Sequence, residues 1–213
     1  MVVAVIADIV GSRRLADREA AQATIDDAIV RAERDLPLAT QVLTPTVGDE
    51  LQAVYDNLPD ALVSLLMVQL LLADGPALRF GIGVGEIRAL ESARGILSDG
   101  PGWYAAREAI ERVDARYTAV PRSLGAIVGA EGHNEHMRRE IAVANAYLLT
   151  RDELVGAMSP RERRLSYGRI LGRSQHELAQ AEGVSQPSVS KSLRRAGTAA
   201  LLEGVAALRE GAR

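Results

Sequence analysis

Seven consecutive residues, Arg79-Phe-Gly-Ile-Gly-Val-Gly85, restrict the fold of this 213-residue chain more than any other stretch. Gly81, Gly83 and Gly85 alternate with Phe80, Ile82 and Val84. A period of two is the mark of a strand, whose side chains point alternately to opposite faces. One face of this strand is bulky and apolar. The other has no side chains, so a helix, a ligand or a second chain can approach its backbone closely. The spacing G-x-G-x-G inside a strand is not a dinucleotide fingerprint, which needs G-x-G-x-x-G opening a helix.

The strand is expected over Leu78 to Ala89, and the neighbouring elements follow from pattern. Met1 to Val10 crowds Val2, Val3, Val5, Ile6, Ile9 and Val10 together without a helical period and reads as a buried strand. Gly11-Ser12 is a turn, and Asp17 to Leu36 is an amphipathic helix stopped by Pro37. Gln41 to Thr46 and Leu51 to Tyr55 flank Gly48-Asp49-Glu50 as a hairpin. Leu58 to Ala73 and Pro101 to Arg116 read as helices, and Leu124 to Val128 as a further strand. The order β-α-β-β-α-β-α-β is a split βαβ pattern of the ferredoxin-like kind, with one antiparallel or mixed sheet and helices on one face. From about Glu135 the pattern is helical to the end. The expected fold is therefore α+β: a ferredoxin-like domain over 1–135, a connecting helix over 136–157 and an all-α helix-turn-helix domain over 158–213.

Charge divides in the same place. Residues 1–150 carry 14 Arg against 21 Asp and Glu, a net −7, whereas residues 151–213 carry 11 Arg and Lys against 7 Asp and Glu, a net +4. Such asymmetry points to an acidic body with a basic part that faces nucleic acid. With no cysteine there is no disulfide framework, thiolate nucleophile or Cys-based zinc site, which fits a cytoplasmic protein. The apolar start has no basic region and runs into Asp8, unlike a secretory signal. The apolar run Ala61 to Ala73 is broken by Ser64 and Gln69 and is shorter than the ~20 residues of a membrane span, so no membrane partner is expected. Aromatic residues, at 3%, are too few for a protein that stacks single-stranded bases. His133 and His136 have helical ligand spacing, but no nearby His or Cys completes a zinc site.

The C-terminal segment Ser174 to Ala196 reads SQHELAQAEGVSQPSVSKSLRRA. Ser174-Gln-His-Glu177 is a capping box. Ala179 is small where two helices would cross, Gly183 suits a positive φ in the turn, and Val184, Val189 and Leu193 point to a small core. Ser185 would cap the second helix, with Pro187 tolerated in its first turn. The exposed face then carries Gln186, Ser188, Ser190, Lys191, Arg194 and Arg195, polar groups suited to base edges and cations suited to phosphates. The segment resembles the helix-turn-helix of sigma-factor region 4 and of LuxR-type regulators. A solvated helical hairpin is the plainer alternative.

Asp8 stands alone in an apolar strand, where a carboxylate is costly unless paired or bound to a metal. If its strand neighbours the hairpin, Asp8 and Asp49 converge. Together with the carbonyl of Ile9 they make a hard oxygen site suited to Mg²⁺ or Mn²⁺. Alternatively Asp8 is a cap and Asp49 a turn residue. Ser98-Asp-Gly-Pro-Gly102 leads into a helix N-terminus that could receive a phosphate, or is a plain junction. Arg107 is either a phosphate ligand or a salt-bridged surface residue.

ADIVGS, GDELQAV, RFGIGVGEI and SDGPGWYAAREAI, in this order, resemble the SatD family and, more distantly, the catalytic domain of class III nucleotidyl cyclases. The resemblance covers roughly residues 2–115. It implies a cyclase-type ferredoxin-like fold working as a head-to-tail homodimer, with Asp8 and Asp49 as metal aspartates and Arg107 stabilising a phosphoryl transition state. The nucleotide would lie against Gly11, Ser12, Gly48, Asp99 and Trp103. The departures are specific. Trp103 stands where the cyclases have a catalytic asparagine, Pro45 where they have a base-selecting lysine, and Ile96 where they have its acidic partner.

Two functions follow. One is a DNA-binding transcriptional regulator of double-stranded DNA whose cyclase-like domain binds a nucleotide or mediates dimerisation. The other is a metal-dependent nucleotidyl cyclase or related phosphotransferase regulated by its helix-turn-helix.

Overall fold

The computed structural model describes residues 2–46, 49–92, 95–116, 119–120 and 122–211. Five strands form a mixed sheet: β1 (Val3–Ile9), β2 (Gln41–Pro45), β3 (Leu51–Tyr55), β4 (Leu78–Val84) and β7 (Gly125–Gly129), in the order β2-β3-β1-β4-β7. β1 is antiparallel to β3 and β4, whereas β4 and β7 are parallel. The glycine-rich strand ends at Val84, short of Ala89, and gives way to a hairpin of β5 (Arg88–Ser92) and β6 (Gly95–Asp99). Helices α1 (Arg18–Asp35), α2 (Leu58–Leu71) and α3 (Pro101–Arg116) complete this part. α4 (Glu135–Gly156), α5 (Pro160–Ile170), α6 (Gln175–Ala181), α7 (Gln186–Arg195) and α8 (Thr198–Gly211) follow. The molecule is thus a ferredoxin-like α+β domain followed by an all-α bundle.

Side-chain alternation along β1 decides the layers. Val3, Val5, Ala7 and Ile9 join Phe80, Ile82 and Val84 of β4 in the main core beneath α1 and α2. Ala4 and Ile6 point the other way, to Trp103, Ala106 and Ile110 of α3. Helices therefore cover both faces of the sheet, not one as the pattern suggested. A strand apolar at consecutive positions needs cover on both sides. The bare glycine face of β4 is what admits α3. A Cβ on Gly81 would lie 2.3 Å from the Ala106 carbonyl oxygen, and one on Gly83 2.0 Å from that of Gly102. Of the three possible occupants of that face, a helix takes it.

α2 is apolar all round and so must be buried all round. It lies between the sheet and helices α5 and α8, and every residue from Ala61 to Leu70 is buried. α4 runs along the free edge of β7. Its Asn145 accepts a hydrogen bond from the Ile127 amide (2.9 Å) and donates one to the Ile127 carbonyl (2.8 Å), standing in for a further strand. Next along α4, the ion pair Arg151–Asp152 is wholly buried. Arg151 donates to Asp152 Oδ1 (2.7 Å) and to the Leu62 carbonyl, and Asp152 Oδ2 accepts from the Leu124 amide (2.7 Å).

In the bundle, capping boxes start α5 at Ser159 and α6 at Ser174. Leu165, Leu178, Ala179, Val189 and Leu193 make a satellite core against which Val184 packs. Gly183, at φ +64°, turns the chain between α6 and α7. Ser185 occupies the N-cap position of α7, but its side chain makes no capping bond. Tyr167 of α5 donates to Asp35 of α1 (2.8 Å) and packs its ring under Arg31, tying the bundle to the first domain.

Candidate functional site

Charged side chains meet where β1 ends, and β3 and β4 begin, beside α3. Asp8 sits on the α3 side of β1, directly opposite Arg79 in the β1–β4 register. Arg79 Nε and Nη2 donate to the two Asp8 oxygens, both at 2.8 Å, and Nη1 reaches Asp114 of α3. Hydrogen bonding to Asp8, working against burial, raises the Arg79 pKa further. The β1–β3 ladder pairs Ala7 with Leu51, so one step further places Glu50 opposite Asp8. Glu50 is gripped by Arg107 of α3 through Nη1 (2.7 Å) and Nη2 (2.8 Å). This bond, again opposed by burial, raises the Arg107 pKa, with smaller contributions from Glu111 and Asp8.

The other expected ligands are not all gathered at this cluster: Asp99 and Trp103 lie towards the opposite end of β1, where Val84 and Gly85 meet Val3 and Val2. Asp49 is half-buried in the β2–β3 turn, and Gly48 lies outside the described residues. Ile9 pairs with Leu78 at the end of β1, and its side chain is in the main core. Gly11, at φ +69°, opens a 3-10 turn over Ser12–Arg14 just beyond Asp8. Asp99 ends β6, where the Tyr104 hydroxyl and then the Gly100 amide hold its carboxyl below the usual range. Trp103 is 6% exposed and packed on Ala4 and Ile6, and its Nε1 has no partner among the described residues. Also among the described residues, no group of three or more His, Cys, Asp or Glu side chains is arranged to hold a metal ion. Each oxygen of Asp8 accepts one bond from Arg79, so a cation would have to share these oxygens with the guanidinium or displace it.

Arg79 and Glu50 are the site residues that residue-type reasoning passed over. Asp8 in an apolar strand already demanded a counter-charge, but its identity depends on strand order and register.

On α7, Gln186, Lys191, Arg194 and Arg195 are exposed and Ser188 and Ser190 half-buried, while Val189, Ser192 and Leu193 anchor the helix. Gln186 donates to Gln175 of α6 (2.7 Å). Arg195 is engaged in the bundle: its Nε donates to the buried Glu162 of α5 (2.7 Å). Lys191 and Arg194 make no ion pair among the described residues.

The model of the SatD family matches residues 2–127. The chain belongs to the SatD family. The SatD match takes in β1 to β4 and the Asp8–Arg79 and Glu50–Arg107 pairs, and it ends within β7. Helices α4 to α8 lie outside it. No curated protein matches the chain. Fourteen chains of solved structures do, among them the structure of a bacterial light-regulated adenylyl cyclase. That match has 12% identity and a TM-score of 0.43, covering 57% of this SatD protein and 72% of the cyclase chain. Among the described residues, no helix is long and apolar enough to cross a membrane.

Proposed function

We propose that this SatD-family protein is a DNA-binding transcriptional regulator in which α6 and α7 form the helix-turn-helix. The observation that carries the reading is α7. It is anchored on its inner face, and it presents Gln186, Lys191 and Arg194 to solvent with both cations free of carboxylate partners among the described residues. Gln186, Ser188 and Ser190 would meet base edges, and Lys191, Arg194 and the outer side of Arg195 the phosphates. A homodimer suits this reading. α3 packs on β1, β4 and β7, and Val54 of β3 packs against the same layer, which leaves β2 open on that side, with Val42 exposed. Two copies joined there would offer two α7 helices to half-sites about 34 Å apart. The test is a mobility-shift assay with duplex DNA at low salt. Retardation should weaken steeply as salt rises, and Lys191→Ala with Arg194→Ala should flatten that dependence. No retardation of any duplex at ~50 mM salt overturns the reading.

The cluster at Asp8 favours a second reading, a nucleotide site. A nucleotide phosphate with Mg²⁺ or Mn²⁺ would exchange the two ion pairs. Asp8, Asp49 and the Ile9 carbonyl would take the metal, Arg107 (and the released Arg79) the phosphates, and Gly11, Ser12, Gly48, Asp99 and Trp103 would border the nucleotide. Bound there, the metal would neutralise phosphate charge. A thermal-shift screen of nucleoside triphosphates with and without Mn²⁺ tests this: metal-dependent stabilisation is expected for the wild type and not for Asp8→Asn. Equal shifts in both exclude Asp8 as a ligand.

A further inference from the structure

Where the sheet domain meets the bundle there is a cavity of about 200 Å³. Its walls come from the C-terminal half of α2 (Gln69) and its cap (Leu72), the end of α4 (Asp152, Val155) and the first turn of α5 (Arg163). Leu78, next to Arg79 in β4, also lines it, but from the α2 face of the sheet, whereas Asp8 and Arg79 face α3. A larger apolar groove of about 660 Å³ runs between α2, α4 and α8, but nothing in the structure shows what covers it.

The smaller cavity is unusual in its unmet polar groups. Gln69 lies in the most apolar helix of the chain and is 5% exposed, yet its Oε1 has no hydrogen-bond partner among the described residues. An orphaned buried acceptor of this kind is destabilising until a donor meets it. Arg163 Nε is also buried without a partner, and Arg163 forms no salt bridge among the described residues. Burial pulls its pKa below the usual arginine value, with only the field of Asp74 acting against that. Asp152 lines the same cavity, but Arg151 and the Leu124 amide already occupy its oxygens. What remains uncompensated is one cation and one hydrogen-bond acceptor.

We propose that this cavity binds a small oxyanion that also carries a hydrogen-bond donor, its charge on Arg163 and its donor on Gln69. At ~30 Å³ per water the space holds roughly six or seven waters, so the ligand is a few heavy atoms in size and not a nucleotide. Hydrogen phosphate and a short hydroxycarboxylate share this chemistry. Because the walls belong to both parts of the molecule, the bound anion stabilises the seating of the bundle on α2.

Calorimetric titration of the full chain with inorganic phosphate, glycolate and acetate, at ionic strength matched with chloride, separates the sources. Saturable binding of phosphate or glycolate is expected, and acetate, which lacks the donor, should bind at least about fivefold more weakly, a difference of ~1 kcal/mol. Arg163→Gln should lower the affinity tenfold or more. Gln69→Glu places a carboxylate beside Arg163, so it should abolish binding and raise the melting temperature of the ligand-free protein. If neither variant folds, the Gln69 side-chain amide signals of the wild type decide: they should shift during the titration. No saturable binding in any arm means that the cavity holds water only and overturns the proposal. So does wild-type affinity in either folded variant, or an amide that does not move.

Discussion

Glu162 shows how a single residue couples elements. It closes the capping box of α5 with Ser159 and accepts from Arg195 of α7. Burial opposes its ionisation, but hydrogen bonds from Arg195 and Ser159 prevail and hold its pKa at about 2, against an ordinary 4.5. Because the folded-state value is the lower one, the stability this carboxylate contributes is complete above about pH 4.5 and is lost as the pH falls towards 2. Urea unfolding at pH 6 should show Glu162→Gln to be less stable than wild type by about 1.5–3 kcal/mol, the worth of a charged hydrogen bond. The gap should narrow at pH 3. A gap independent of pH means that ionisation of Glu162 is not what joins α5 to α7. Asp8 follows the same logic on the sheet: its cost in an apolar strand is met by a bidentate arginine.

At the scale of elements, the contact between β4 and α3 leaves no slack. A methyl group at Gly83 would overlap the backbone of Gly102 and Ala106, which cannot move as a flexible side chain can. Gly83→Ala should therefore destabilise by about 2–3 kcal/mol or more, read as a lower urea midpoint, whereas Gly132→Ala, where a Cβ meets nothing within 4 Å but φ is +85°, should cost only about 1 kcal/mol. Equal effects would mean that α3 can lift away from β4. Local pattern made much of this level legible. α3 spans Pro101–Arg116 and β3 Leu51–Tyr55, as Pro, Gly and alternating apolar residues indicated. The hairpin of β5 and β6 escaped because Arg88 to Ser92 reads Arg-Ala-Leu-Glu-Ser, mostly helix-favouring residues, and only pairing with Gly95–Asp99 makes it a strand.

For the whole molecule the buried pair Arg151–Asp152 is the tie. It connects α4 to the entry of β7 and to α2. Arg151→Ala leaves Asp152 charged and unpaired in the interior and should cost about 3–5 kcal/mol in denaturant unfolding. Arg151→Leu combined with Asp152→Asn should cost less than Arg151→Ala alone, since no buried charge is then stranded. The opposite order would show that packing of the Arg151 stem, and not charge, holds α4 in place. Nothing local to residues 151 and 152 indicates burial, because two adjacent charges on a helix ordinarily face water.

The sequence by itself determined most of the strands and helices, the β5–β6 hairpin excepted, where α5, α6 and α7 begin, and that β4 has one face free of side chains. Those properties reside in residues within a turn or two of one another, in capping groups, period and the absence of Cβ atoms. Tertiary structure alone decided that a helix fills the glycine face, that Arg79 and Glu50 join Asp8 and Arg107, and that Arg195 is held by Glu162. The three ion pairs join residues 33 to 71 positions apart, and the helix reaches the glycine face by docking across the sheet. Register and docking are collective outcomes of burying every apolar face at once, so no short stretch of chain encodes them.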